Sequence, residues 1–387
     1  MANQPNSLGE RLLALPLTEP LAQAARAQTA VASSEAVIRH HYQLEQLPPA
    51  WQEMDAFARS PMQSVIWAKA CAAAFASVGH LRLILVEQNG QPAAFAPLVK
   101  RRRSPHLELL GLRELCEPAE FLYANAPALE HLARAIAAQS LPLYIERAPQ
   151  DSPTVAALQK AYRRRGLVVV SPAQGYPTIT LNDEWATPEQ KLNAGRRSDF
   201  RRAVRHAEKM GAVDYEIHSP SPAECAPLLE KAFAVEAASW KGREGSALTC
   251  DRLRAPFYGR YAAHAAASGI LRLCFMSIGG RAAAMQVAIE CGGRFWLLKI
   301  GYDERFARCS PGLLLMHHTI GEAARRGLRS YEFLGGVEAW TQVWTQETRP
   351  MVSLRAYPFN PLAMTRLAAD AARSVRAKLQ KHSRGRE

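Results

Sequence analysis

The sequence predicts an α/β (α+β) chain built from two tandem units, each a mixed, mostly antiparallel sheet flanked by helices. Two observations carry this expectation. The segment Leu81–Ala94 returns as Leu271–Ala284, with Leu-Arg-Leu at the head and Ala-Ala at the end of both copies. Each copy reads as strand, Gly-containing tight turn, strand, and each follows an Ala-rich helix that ends near Gly79 or Gly269. Repetition of a segment together with its surroundings is the mark of a tandem duplication. Length agrees, because 387 residues exceed what one hydrophobic core comfortably serves.

Composition narrows the class. Hydrophobic residues make up 48 % and charged residues 21 %, as in ordinary globular proteins. The net charge of +13 favours anionic partners: phosphates, nucleic acid, acidic lipid headgroups or a nucleotide cofactor. The seven cysteines form no CxxC pair and are odd in number, which argues against a disulfide framework or a zinc site and for a reduced, cytoplasmic protein. No run approaches the ~20 apolar residues of a spanning helix. The N-terminus lacks a basic start followed by an apolar run, so no secretion signal is expected.

Four segments follow. Residues 1–35, rich in Ala, Gln, Pro and Leu and without a period, read as a flexible arm. Residues 36–175 form the first unit. Helical spacing over 64–78 leads into the hairpin, whose Asn89-Gly90 is a strong turn signal. Further helices are expected over 128–140 and from Ser152-Pro153 to Gly166, and strands over 143–146 and 168–170. Gly175 to Pro177 reads as the passage to the second unit, residues 176–358. Thr187-Pro188 with Gln190 reads as a capped start to an Arg-rich helix carrying Arg196, Arg197, Arg201, Arg202, Arg205 and Lys209. That helix is either a solvated face or a contact to a polyanion.

The second unit continues with helices over 227–240 and 256–268, the repeated hairpin, a strand over 295–300, a helix from Ser310, a strand over 331–334, a Trp-bearing helix over 337–346 and a final strand over 352–357. Ser310 can cap its helix, Pro311 suits the first helical position, and Gly312 removes a side chain where a ligand could approach. Free N–H groups in the first turn, the positive end of the helix dipole, and nearby Arg305 and Arg308 suit a pyrophosphate. Residues 359–387 read as a basic amphipathic helix that docks on its own protein or lies on an anionic membrane surface. Adjacent His317 and His318 point different ways, and no metal site is expected. Cys309 reads as a small buried residue.

This order of elements resembles the GNAT acyltransferase superfamily, and 232–344 is similar to the branch typified by cellulose-biosynthesis acetyltransferase-like proteins. The residues that carry the resemblance are Ser239-Trp240, Phe257-Tyr258, Tyr302-Asp303, Ser310-Pro311-Gly312 and the run from Tyr331 to Glu338. The first unit is similar to the degenerate N-terminal GNAT-like domain of the same tandem proteins and, lacking a Ser-Pro-Gly helix start, is expected to be structural. Two departures stand out: Ser-Pro-Gly replaces the alternating glycines of the usual phosphate loop, and Trp340-Thr341 occupies the place of a Tyr-Lys pair.

The resemblance implies an acetyl-CoA or longer acyl-CoA donor held by Lys299, Ile300, Arg305, Arg308, Ser310, Pro311, Gly312 and Leu313. It implies an amine acceptor near Trp240, Lys241, Glu338 and Trp340: an amino sugar in polysaccharide synthesis or an amine-bearing lipid. The amine must lose a proton. Asp303 is the first choice of base, with Glu236, Glu332 and Tyr302 as further catalytic candidates. Two rival readings remain. One is a transferase resembling Fem-type proteins, taking an aminoacyl group from tRNA on the Arg-rich helix. The other is a non-catalytic CoA-binding assembly subunit of an exopolysaccharide or lipid system. The expected location is cytoplasmic, with peripheral contact at the inner membrane face as an alternative.

Overall fold

The computed structural model describes residues 36–239 and 251–384, so the expected arm over 1–35 lies outside the described residues. The strands are β1 (Ala36–His41), β2 (Gly79–Gln88), β3 (Gln91–Arg101), β4 (Leu107–Leu109), β5 (Leu122–Tyr123), β6 (Leu143–Pro149), β7 (Gly166–Thr180), β8 (Val213–His218), β9 (Leu271–Ile278), β10 (Arg281–Cys291), β11 (Arg294–Tyr302), β12 (Ser330–Glu332) and β13 (Thr348–Pro358). The longer helices are α1 (Val65–Phe75), α2 (Ala126–Ala138), α3 (Pro153–Tyr162), α4 (Ala194–Met210), α5 (Pro222–Ala237), α6 (Arg254–Ala267), α7 (Pro311–Arg325) and α8 (Pro361–Arg384). The sheet is continuous, in the order β1-β2-β3-β4-β6-β13-β7-β12-β11-β10-β9-β8, with β5 on β3.

The repeat is visible in backbone detail. Both hairpins turn on two residues of positive φ, Asn89 and Gly90 (52° and 74°) and Gly279 and Gly280 (56° and 75°). That is the turn whose twist matches its strands. Both carry a bulge at the same step: Ala93 is the extra residue where the pairing slips between Val86 and Glu87, and Ala283 is the extra residue opposite Met276 and Ser277. A matching bulge is firmer support for duplication than matching apolar residues, which all hairpins share. The helices before the two hairpins pack on each other. Trp67 of α1 sits edge-on to Phe257 and Tyr261 of α6, both at 4.8 Å between ring centroids. One buried apolar cluster therefore draws on both halves.

The two halves also exchange strands. β13, the last strand, lies antiparallel between β6 and β7 of the first half. The end of β7, Thr178–Thr180, pairs with β12 of the second half. Residues 175–177, expected as a passage, are thus inside an unbroken strand. A Cβ on Gly166 would lie 2.4 Å from the Tyr357 carbonyl, so the β7–β13 seam closes only over glycine there.

Three expected helix boundaries need correction. The Arg-rich helix starts at Ala194, not after Thr187: Asn193 Oδ1 accepts from Arg196 N at 2.9 Å, and Pro188–Lys191 is a separate 3₁₀ turn. The helix expected from 227 begins at Pro222, where Ser221 and Glu224 form a capping box, with Pro227 inside it. The Trp-bearing segment 337–346 is a loop with one 3₁₀ turn, Thr341–Val343. Thr341 Oγ1 there accepts from Glu338 N at 3.1 Å and donates to Glu338 O at 2.8 Å, a local alternative to helical bonding. The C-terminal helix α8 docks on the first half. Asp370 accepts from Tyr357 Oη at 2.8 Å, and from Tyr144 and Arg373, while Ala363 is buried against the two tyrosines.

Candidate functional site

The site is built on β11. This strand pairs in parallel with β12 only from Arg294/Ser330 to Trp296/Glu332, then runs on to Tyr302 while the chain after β12 leaves the sheet. The two strands part and open a wedge. Just beyond the split, the β10–β11 register slips between Val287 and Ala288, making Leu298 an extra residue. Side chains alternate along a strand, so one extra residue shifts the later positions to the opposite face. Phe295, Leu297, Ile300 and Tyr302 face the cluster beneath α7. Trp296, Leu298, Lys299 and Gly301 share the other side, which looks towards α5, α6 and the first half.

That other side holds the polar groups. The Lys299 Nζ lies 5.0 Å from the ring centroid of Tyr258, on α6. Burial pushes the Tyr258 hydroxyl well above the ordinary tyrosine range, so it stays protonated. Glu236 on α5 is buried, and a Cβ at Gly301 would stand 3.1 Å from its Cβ, so glycine lets the helix close onto the bulged strand. Arg254 on α6 donates to the Glu114 carbonyl at 2.6 Å and ties the second half to the loop between β4 and β5.

From the same loop comes a residue the sequence reading missed. Glu117 Oε2 is sealed from solvent and has no hydrogen-bond partner. Burial pushes its carboxyl up to about 7, while Arg147, Lys299 and Arg254 pull the other way. A carboxyl that exchanges its proton near neutrality, flanked by a lysine from the bulged strand, is suited to general base work. Nothing in the sequence sets it apart, because the stretch from Leu107 to Leu122 also carries Glu108, Arg113, Glu114 and Glu120.

The carboxylates singled out from sequence are otherwise occupied. Asp303 caps a 3₁₀ turn, accepting from Arg305 N at 3.0 Å, and the Arg305 guanidinium reaches both oxygens, at 2.9 and 3.1 Å from Nε. This hydrogen bonding holds its carboxyl below the ordinary range, the wrong direction for a base. Asp303 is therefore a structural residue of the turn, and Asp303→Asn should leave kcat within about twofold, because an amide oxygen still caps Arg305 N. A steady-state assay at saturating substrates checks this; a hundredfold loss would return Asp303 to the base role. Glu332 is wholly buried and accepts from Arg349 at 2.7 Å, Ser330 Oγ at 2.6 Å and Arg294 at 3.4 Å. Tyr302 faces α7, with its ring 3.8 Å from where a Gly312 Cβ would stand.

The donor-site residues gather at the start of α7, with one correction. Ser310 does not cap the helix with its side chain: it adopts a left-handed conformation (φ 46°, ψ 50°), and its carbonyl takes Leu313 N and Leu314 N. Gly312 N–H is thus the free donor of the first turn, at the positive end of the dipole. Its open surroundings and the exposed Arg308 leave room for an anion, whereas the Arg305 guanidinium is held by Asp303. Lys299 and Ile300 stand apart from this turn, on the bulged strand. Of the acceptor candidates, Trp240 and Lys241 lie outside the described residues. Glu338 and Trp340 are bonded to each other, the indole donating at 2.7 Å, on the loop after β12.

Other prominent residues serve packing. His317 bonds Glu189 at 2.6 Å and His318 stacks on Tyr215 at 4.6 Å, in different directions. Cys309 is buried against Met210. Helix α4 packs through Phe200 on Trp344 at 5.4 Å and leaves Arg196, Arg201, Arg202, Arg205 and Lys209 exposed.

These features coincide with a known domain. Residues 194–342, from the first residue of α4 to the loop after β12, match the family model described as an acetyltransferase (GNAT) domain. The chain therefore carries a GNAT-type acetyltransferase domain in its second half. Among solved structures, the C-terminal domain of a putative lysylphosphatidylglycerol synthetase from Agrobacterium fabrum is similar over 84 % of this chain and 94 % of its own, with 8 % identity and a TM-score of 0.53. A conserved protein of unknown function from Bacteroides thetaiotaomicron is similar over 83 % and 99 %, with 11 % identity and a TM-score of 0.52. FemX is similar over 84 % and 98 %, with 15 % identity and a TM-score of 0.51. At such identities the likeness establishes a shared fold. No curated protein matches in sequence.

Proposed function

We propose that this protein transfers an acyl group from coenzyme A to an amine, as in the cellulose-biosynthesis acetyltransferase-like branch its second half resembles. The acceptor class is an amino sugar or an amine-bearing lipid. The observation that carries the reading is the wedge between β11 and β12, with a bulge at Leu298 and the open start of α7 at its mouth. Backbone N–H and the dipole at Gly312, with Arg308, would take the diphosphate. The thioester would lie against the bulged strand, facing Glu117. The amine nitrogen attacks the thioester carbon, a C–N bond forms and the C–S bond breaks. The proton of the ammonium formed on attack passes to the Glu117 carboxylate and from there to the departing sulfur, so that coenzyme A leaves as the thiol.

Acetyl-CoA or a longer acyl-CoA should raise the melting temperature of the wild type, since a ligand bound only by the folded state stabilises it. Gly312→Trp should abolish the shift by filling the approach to the first turn. The donor giving the larger shift separates sugar from lipid chemistry. No shift with either donor would overturn the reading. It would favour an aminoacyl-tRNA donor, for which the exposed arginines of α4 are the supporting observation. A shift without turnover on any amine would favour a CoA-binding assembly subunit.

A further inference from the structure

We propose that the first half holds the acceptor: a pocket for an amine that also carries a phosphate or carboxylate, with the ammonium at Glu117 and the anion at Arg355. Its purpose rests on the acyl-transfer reading; its geometry does not. The pocket, of about 640 Å³, lies between the loop after β4, strands β6 and β13, and helix α8. That volume suits a ligand of sugar-phosphate size or larger.

Most charges on its walls are already paired. Asp370 is ringed by donors, and Glu108 accepts from Arg113 at 2.7 Å and from Arg101. Two groups are not. Arg355 stands 3.4 Å from the exposed Glu146 and 3.9 Å from Asp370, so its five-donor fork keeps capacity for an anion. Its carbon lies 5.0 Å from the Tyr144 ring centroid, which fixes the guanidinium in place. Glu117 lines the same pocket, and its Oε2 lacks any hydrogen-bond partner. An unmet buried acceptor is costly, and a bound ammonium would satisfy it. Glu117 also lies within electrostatic reach of Lys299 on the bulged strand. A substrate held by the first half would therefore present its amine to the wedge of the second. The first half, expected from sequence to be structural, becomes the substrate-recognition half.

The test is binding alone, on the full chain without acyl-CoA. Cys116 is exposed and lines the pocket, so its alkylation by a maleimide, followed by peptide mass spectrometry, reports occupancy. Four probes are used: glucosamine 6-phosphate, lysine, glucose 6-phosphate and glucosamine. At least one of the first two should slow alkylation tenfold or more, and which one does so distinguishes phosphate from carboxylate. The single-group analogues, glucose 6-phosphate and glucosamine, should bind at least tenfold more weakly by calorimetry. Glu117→Gln should lose at least tenfold affinity for the anionic amine and keep that for glucose 6-phosphate. Should Glu117→Gln fail to fold, Arg355→Gln is the second variant, expected to lose the anionic amine while retaining glucosamine. The proposal is overturned if neither anionic amine protects Cys116, if the single-group analogues bind as well, or if the variant binds unchanged. Donor binding at Gly312 is measured separately, so either result stands without the other.

Discussion

Glu117→Gln should lower turnover by about 10²–10⁴-fold while leaving the acyl-CoA-induced melting shift intact. The amide keeps the shape of the side chain and removes the proton acceptor. The pH dependence gives a second, independent readout. Burial raises the Glu117 carboxyl from an ordinary 4.5 to about 7, so in the wild type kcat/KM should climb as pH rises through neutrality, and the variant should lack that limb. Stability follows the opposite course. A raised carboxyl pKa means the folded protein binds the proton more tightly than the unfolded chain does. The stabilisation is complete at low pH and is lost between about 4.5 and about 7. Glu117→Gln should therefore match the wild type in melting temperature at pH 4.5 and exceed it at pH 8. A variant with wild-type turnover and no change in pH profile would exclude Glu117 from the chemistry.

Glu332→Ala should have the largest effect on folding, about 3 kcal/mol or more in urea denaturation. Removing one member of a buried ion pair leaves the others uncompensated. Arg294 and Arg349 are each about a quarter exposed, which moderates the loss from the upper end of the usual range. The kcat of the folded fraction should be unchanged. A large loss of kcat in Glu332→Gln with an unaltered denaturation midpoint would reverse the assignment and make Glu332 the base.

Much of the fold was legible because it rests on local chemistry. Asn89-Gly90 and Gly279-Gly280 mark hairpins by conformational need, and Ser152-Pro153 starts a helix because Ser152 Oγ accepts from Thr154 N at 3.0 Å. The errors came where two local signals compete. Thr187-Pro188 reads as a helix start but opens only a 3₁₀ turn, and the helix itself begins after Asn193. The tryptophans at 340 and 344 have helical spacing, but Thr341 bonds back to Glu338 and ends any helix there.

The candidate site was less legible for a different reason. The start of α7 and the run to Glu332 are contiguous stretches, so their location could be read. Their chemistry could not, because a carboxylate's usefulness depends on what surrounds it. Asp303, Glu332 and Glu117 are alike in sequence. Arg305 neutralises the first, two arginines clamp the second, and only the third is left unpaired. The last of these is contributed by the other half of the chain, 182 residues before Lys299, and no pattern within either unit could join them.

The seating of β13 sets the order in which the protein can be made. The slot between β6 and β7 stays empty until Pro358 has emerged, although both of its walls are complete by Thr180. At about 5–20 residues per second, the ribosome needs on the order of 10–30 s to bridge that gap. Throughout that time the nascent first half presents two open strand edges, the kind of surface on which chains pair wrongly. The closing strand and the helix that follows it act as a clasp, locking the first half only when the second is already built. Neither half is then a finished protein in its own right, and a chain cut short anywhere before residue 358 would leave behind an open sheet rather than a smaller closed fold.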